Sequence, residues 1–252
     1  MTHVLVVAGH DSSGHAGLDA DLDAARAAQC EATCVATART RQDEHGVQAL
    51  GQREPRDWLA EARAGLPAMN ALKFGLLPGA DHVAAAAELL ADVDARTPLV
   101  LDPVLRSSSG FDFLDAAARE ALLELLGPRA LVWTPNLHEL ALLTGTDAEE
   151  LAHEPNRRQS VAQSLLDRGA RAVVVKGGHG HEDPVCDLVV AADAAPVWLS
   201  HERLPASIGG SGCRFATMLA CHLARGEQLE PAARAAADFV AERIAAALRS
   251  SR

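Results

Sequence analysis

Apolar residues follow two alternating arrangements along the chain. Short, unbroken, β-leaning runs are separated by longer stretches in which Ala and Leu recur among Arg, Glu and Asp. The runs Val4–Ala8, Ala32–Ala38, Ala71–Phe74 and Leu99–Leu101 predict strands. So do Ala130–Trp133, Ala172–Val175 and Leu188–Ala191, with an edge strand at Val197–His201. Helices are predicted near Gly17–Ala28, Arg56–Ala64, Asp81–Val93 and Asp115–Leu125, then Leu137–Thr144, Arg157–Asp167, Arg214–Leu223 and Pro231–Leu248. Strand followed by helix, repeated, is the pattern of a doubly wound α/β fold: a mainly parallel sheet with crossover helices on its faces. No internal repeat or low-complexity linker interrupts it, so one domain over residues 1–252 is expected, with a frayed Arg-Ser-Ser-Arg end.

Composition narrows the function. With 48% hydrophobic and 23% charged residues the chain can bury a substantial core, which excludes a disordered tail protein. A net charge of −11 and a pI near 5.4 repel polyanions, so neither nucleic acid nor an anionic membrane is expected as a partner, and any phosphate site must be local. Met1–Ala8 has no basic region and stops at Gly9, reading as a strand rather than a signal peptide. Charges interrupt every Ala-rich stretch well before the roughly 18 apolar residues of a spanning helix. A soluble, cytoplasmic protein is the expectation. Cys30, Cys34, Cys186, Cys213 and Cys221 are odd in number and form no C-x-x-C pair, which suggests neither a disulfide framework nor a zinc ribbon. Aromatics at 3%, with no Tyr, remove the stacking platforms of a single-strand nucleic-acid binder. Small-molecule chemistry is what remains.

Ligands of such folds bind beyond the carboxyl ends of the strands, which directs attention to the loops there. Gly209-Gly-Ser-Gly-Cys213 opens a helix, so its backbone N–H groups and the helix dipole can cradle an anion. The same helix end is expected to acidify the Cys213 thiol and make it a base or nucleophile. A flexible turn with a small buried cysteine is the other reading, and the segment alone leaves both open. Gly9-x4-Gly14 continues as His15-Ala16 instead of Lys-Ser/Thr, so it is not a P-loop, and no G-x-G-x-x-G follows a strand. Lys176, at a strand end before two glycines, can present its ammonium to phosphate oxygens or simply be a surface lysine. Asn136 and Glu139, three apart at a helix start, suit a water-mediated Mg2+ or phosphate network, and Asp102 adds a second carboxylate for the same cation. They equally suit a capping box. Cys30 and Cys34 share one strand face and read as core. His179 and His181 suggest a metal site but lack a third ligand at a telling spacing.

Six segments carry a resemblance. They are Gly9-His-Asp-Ser-Ser-Gly-His-Ala-Gly-Leu-Asp-Ala-Asp-Leu22, Lys73-Phe-Gly-Leu-Leu77, Leu101-Asp-Pro-Val-Leu105, Thr134-Pro-Asn-Leu-His-Glu139, Val175-Lys-Gly-Gly-His179 and Gly210-Ser-Gly-Cys213. In order and spacing the chain resembles the hydroxymethylpyrimidine/phosphomethylpyrimidine kinase family of thiamine biosynthesis, over almost its whole length. The resemblance implies a ribokinase-like three-layer α/β/α sandwich and Mg·ATP-dependent phosphorylation of 4-amino-5-hydroxymethyl-2-methylpyrimidine and then of its monophosphate. It implies that Gly210, Ser211 and Gly212 form an anion hole and that Cys213 is the base. Gln42, Asp21 and Gly9 are implied at the pyrimidine, Lys176 and Asn136 at the nucleotide, and Asp102 and Glu139 around Mg2+ through water. The family is often dimeric, so a homodimer is expected.

The chain also departs from the family pattern. His15 replaces a usual Gly, Arg41-Gln42-Asp43 replaces Ala-Gln-Asn, Gly209 replaces His and Ser211 replaces Thr. Ala237 stands near a usual phosphate-meeting Lys, and the usual Gly/His-rich tail does not follow. These keep two alternatives in play: a pyridoxal-type (B6 vitamer) kinase, and a catalytically weak relative that binds pyrimidine or nucleotide.

Overall fold

The strands, in a computed structural model of the chain, are β1 (His3–Asp11), β2 (Glu31–Asp43), β3 (Gly46–Gln52), β4 (Ala71–Phe74) and β5 (Leu99–Leu101), followed by β6 (Val132–Trp133), β7 (Ala172–Val175), β8 (Val185–Ala191) and β9 (Ala194–His201). The structure describes residues 1–43, 46–107 and 110–250, and of Gln42 and Asp43 it describes the backbone alone. The strands form one nine-stranded sheet in the order β3-β2-β1-β4-β5-β6-β7-β8-β9. The six from β2 to β7 in that order are parallel, and the antiparallel pairs lie at its two margins, β2 with β3 and β7 with β8 with β9.

Parallel neighbours require a crossover, and the crossovers are helical. On one face pack α2 (Pro55–Gly65), α3 (Ala80–Ala91), α4 (Ala116–Ala121), α5 (Leu137–Thr144), α6 (Ala148–His153) and α7 (Pro155–Asp167). On the other lie α1 (Gly17–Ala27), α8 (Ser211–Ala224) and α9 (Leu229–Ser250). Alternate residues of each strand serve alternate layers. Leu5, Val7, Leu72 and Phe74 join the core under α2–α7, while Val4, Val6, Ala71 and Val100 join the core under α1, α8 and α9. The second layer is alanine-rich where it meets the sheet and its neighbours, with Ala24, Ala220, Ala233 and Ala236 all buried. This is the ribokinase-like three-layer arrangement expected from the sequence. Among the described residues no helix is long and apolar enough to cross a membrane.

All of the expected strands form, and two elements appear that the sequence reading omitted. β3 is an exposed edge strand with little alternation, held by its hairpin pairing to β2. α6 is a short helix capped by the Asp147 side chain, which accepts from the N–H groups of Glu149 and Glu150. β1 runs past Ala8 to Asp11 because the tip of β2 continues beside it. A register shift between Ala8 and Gly9 bends the strand there.

Candidate active site

At the carboxyl ends of the parallel strands a cavity of about 680 Å3 opens, and most of the sequence-predicted residues meet in it. Gly210, Ser211, Gly212 and Cys213 line it from the start of α8. Lys176, Asp102, Asn136 and Glu139 line it from the ends of β7, β5 and β6, and Gly9 from β1. Asp21, expected at the substrate, does not line it. It sits on the inner side of α1, fully buried, and holds Lys73 instead. The Gln42 side chain lies outside the described residues.

Gly210 adopts the left-handed region, φ 71°, and α8 starts on the next residue with no side-chain cap. The first intrahelical bond runs from Arg214 N–H to the Gly210 carbonyl, 2.9 Å. The N–H groups of Ser211, Gly212 and Cys213 therefore have no carbonyl of their own helix to meet, and they belong to residues that line the cavity. A first turn with such donors is a candidate anion cradle. Glycine is required at 210 twice over, since a Cβ there would lie 2.8 Å from Ala16 Cα as well as in strained backbone. Gly210→Ala is accordingly expected to force the 9–17 loop off α8. A Tm loss of about 5–10 °C and at least a tenfold lower turnover should accompany it, as thermal melts and steady-state kinetics would read. A Cβ at Gly212 would sit 2.9 Å from Lys176 Nζ, so the bare backbone lets that ammonium rest against the cradle.

Lys176 is the centre of the charge network. Its Nζ donates to Asp102 Oδ1 at 2.9 Å and lies 4.0 Å from Glu139 Oε2, while Thr134 Oγ1 donates to the same Asp102 oxygen at 3.2 Å. Burial alone would raise Asp102, but the ammonium groups of Lys176 and Lys73 outweigh it and hold the carboxyl below its ordinary value. Glu139 goes the other way. Burial, reinforced by the Asp102 charge, pushes it up to about 7 against the pull of Lys176 and the Asn136 N–H. Asn136 and Glu139 do form the capping box: Asn136 Oδ1 accepts from Glu139 N–H at 2.9 Å and Glu139 Oε2 accepts from Asn136 N–H at 2.8 Å.

Beneath the cavity is a second cation that the sequence reading did not assign. Lys73, in the short buried strand β4, donates to Asp21 Oδ1 at 2.9 Å and lies 4.0 Å from Asp102 Oδ2. Thr217 Oγ1 from α8 donates to the same Asp21 oxygen at 2.6 Å. The signal was available in the sequence as a lysine inside Ala71-Leu-Lys-Phe74, where a buried strand offers no place for an unpaired charge.

The expected acidification of Cys213 is not what the environment produces. Burial pushes the thiol up to about 12, with Asp21 and Asp102 adding to it and the two lysines opposing. Removing the thiolate from water is a larger effect here than the helix end supplies. Cys213 nonetheless lies in the cavity with Lys176, as a base must.

The substituted positions can also be placed. His15 lines the cavity, and Arg214 ties it to the cradle by donating to the carbonyls of His15 (3.3 Å) and Gly209 (2.6 Å) and to Asp23 (2.8 Å). Arg41 is exposed on β2. Ala237 is buried in the core under α9 and lines no part of the cavity. Arg243 of α9 pairs with Asp23 and borders a smaller groove shared with His15 and Gly209.

The donor set fits magnesium. Asp102 and Glu139 offer hard carboxylate oxygens at the cavity wall. Among the described residues neither Asp102 Oδ2 nor Glu139 Oε1 accepts a hydrogen bond, which leaves lone pairs for the water shell that Mg2+ retains.

Comparison with known proteins agrees with this geometry. A family model described as phosphomethylpyrimidine kinase matches residues 11–252. A hydroxymethylpyrimidine/phosphomethylpyrimidine kinase of Streptomyces coelicolor is 38% identical over 246 residues, covering 96% of this chain and 88% of that one. Its counterpart from Haemophilus influenzae is 34% identical over 255 residues, covering 97% and 91%. Among solved structures, phosphomethylpyrimidine kinase from Clostridium difficile 630 matches with a TM-score of 0.81 at 27% identity, over 97% of this chain and 100% of that chain. A pyridoxal kinase from Staphylococcus aureus in complex with AMP-PCP and pyridoxal matches at 0.84 and 27% identity, over 96% and 87%.

Proposed function

The chain belongs to the phosphomethylpyrimidine kinase family, and we propose that it transfers the γ-phosphoryl group of ATP to 4-amino-5-hydroxymethyl-2-methylpyrimidine and then to the monophosphate so formed. The observation that carries this reading is the meeting of the α8 amide cradle, Cys213 and the Lys176–Asp102 pair in one cavity. In the reaction the acceptor oxygen forms a bond to the γ-phosphorus as the bond to the β-bridging oxygen breaks. Such a loose transition state asks mainly for positioning and charge stabilisation. The N–H groups of Ser211, Gly212 and Cys213 take the charge on the migrating phosphoryl group, and Lys176 neutralises phosphate oxygens beside them. Cys213 accepts the hydroxyl proton, and Gln42 reads the pyrimidine edge, its amide able both to donate and to accept. Bound with ATP, Mg2+ would neutralise phosphate charge, and Asp102 and Glu139 would hold it through water.

The likeness to a pyridoxal-bound kinase supports a second acceptor class, a B6 vitamer. Ranking the hydroxymethylpyrimidine, its monophosphate and pyridoxal by kcat/KM with Mg·ATP separates the readings. The pyrimidine alcohol is expected to lead by at least tenfold. A pyridoxal lead would reassign the acceptor, and ligand-induced thermal stabilisation without ADP release would make the protein a binder.

A further inference from the structure

The motif Lys176-Gly-Gly-His-Gly-His181 contributes two histidines to different places. His179 faces the cavity, its ring 4.8 Å from that of His138. His181 turns away and meets α6, where its backbone N–H donates to the Ala152 carbonyl at 3.2 Å and its ring lies 4.3 Å from the His153 ring. Glu149, one turn before His153, reaches both imidazoles: its Oε2 is 3.8 Å from His153 Nδ1 and 3.8 Å from His181 Nε2. One donor atom from each of the three residues lies within 4.8 Å of the other two, close enough for modest side-chain rotation to bring all three onto one ion. None of the three lines the cavity and all are exposed, so packing does not lock them; His153 Nδ1 also meets the Glu149 backbone oxygen at 2.9 Å, a contact that a bound ion would replace.

We propose that Glu149, His153 and His181 form a surface site for a divalent transition-metal ion of the zinc class, clipping α6 to the segment that follows Lys176. The chemistry selects the ion. Two imidazole nitrogens and one carboxylate suit Zn2+, Co2+ or Ni2+, whereas Mg2+ prefers an all-oxygen shell. Three protein donors on an open surface leave the remaining positions to water, so the site is separate from the nucleotide's magnesium in both place and chemistry.

The test uses the full chain without an affinity tag, stripped with a chelator and titrated with Co2+ followed by visible absorption, and with Zn2+ by calorimetry. One saturable site is expected, with Zn2+ displacing Co2+ and millimolar Mg2+ failing to do so. At a hundredfold excess over Kd, Zn2+ is expected to raise Tm by about 5 °C. The H153A/H181A double variant should lose the site and Glu149→Gln should weaken it at least tenfold. His222→Ala, at a separate surface His222–Glu227 pair, should leave it unchanged. Glu149, His153 and His181 are exposed and His222 is half-buried, so the variants are expected to fold, and circular dichroism checks this. Binding of equal stoichiometry and affinity in the double variant, or no saturable binding in the parent, overturns the proposal.

Discussion

Lys176→Ala is expected to lower kcat/KM by about 10²–10³-fold, the loss that follows removal of one preorganised charge donor from a phosphoryl-transfer site. Stability should fall as well, because Asp102 is buried, with 1% of its surface exposed, and would keep only the Thr134 hydroxyl at 3.2 Å and the Lys73 ammonium at 4.0 Å. Breaking a buried pair from one side costs about 3–5 kcal/mol, and the remaining cation trims this toward the lower figure, a Tm loss of about 10 °C. The double variant K176A/D102N separates the two effects. Removing the orphaned carboxylate should restore most of the Tm and none of the turnover. A single variant within about threefold of the parent in kcat/KM would remove Lys176 from the chemistry.

The pH dependence of folding carries the same signature. In the parent, Asp102 is depressed in the folded state, so its contribution is present above the ordinary carboxyl range and is lost as pH falls through the folded value. Lys176 is raised, because Asp102 and Glu139 overcome burial, so its contribution is complete below its ordinary value and is lost as pH rises through the folded one. Glu139 works oppositely to Asp102: its folded pKa of about 7 exceeds the ordinary 4.5, so stability drains away as pH climbs between those two values. Without Lys176 its pull on both carboxyls is lost, leaving Lys73 and Thr134 on Asp102 and the Asn136 N–H on Glu139, so burial weighs more on each. K176A should therefore lose more stability between pH 5 and 8 than the parent does, a comparison that denaturant melts across that range can make.

How much of this was legible in the sequence follows from the range of the forces involved. The strands could be read because each is a short apolar run facing two cores, and the glycine at 210 because its backbone conformation demands it. The loop positions of Cys213 and Lys176 left their roles open, and the family resemblance put both at the site. What the sequence reading missed depends on partners far along the chain. Lys73 and Asp21 are separated by 52 residues and Asp21 and Thr217 by 196, so neither lysine nor carboxylate announces its pair locally. For Asp21 the error was one of depth: the resemblance implied a carboxylate at the substrate, whereas five residues into α1 the helix turns it inward onto Lys73. Cys213 shows the remaining limit. A helix N-terminus can be inferred from Gly-Ser-Gly, but the desolvation that outweighs it depends on the folded surroundings of Cys213, which no local segment shows.

That desolvation shapes the second large prediction. Cys213→Ala is expected to cut kcat by about 10²-fold with KM little changed, the lower end of what a general base contributes. The lower end applies because a thiol pushed up to about 12 is almost wholly protonated at neutral pH, and because the loose transition state needs little help from the nucleophile until the new bond is well formed. Only the thiolate form can take the proton, late in the reaction when the acceptor oxygen has become strongly acidic, and the nearby ammonium groups of Lys73 and Lys176 favour that negative form. A base of this kind leaves a mark on the pH–rate profile. Under chemistry-limited conditions the parent's kcat should keep rising with pH, without a plateau, up to the point where the fold fails, whereas the alanine variant should be flat over the same range. Cys213→Ser, with a poorer proton acceptor in the same place, should sit near the alanine variant in rate. An alanine variant that retains the parent's slope would move the proton acceptor to another group in the cavity and leave Cys213 as part of its wall.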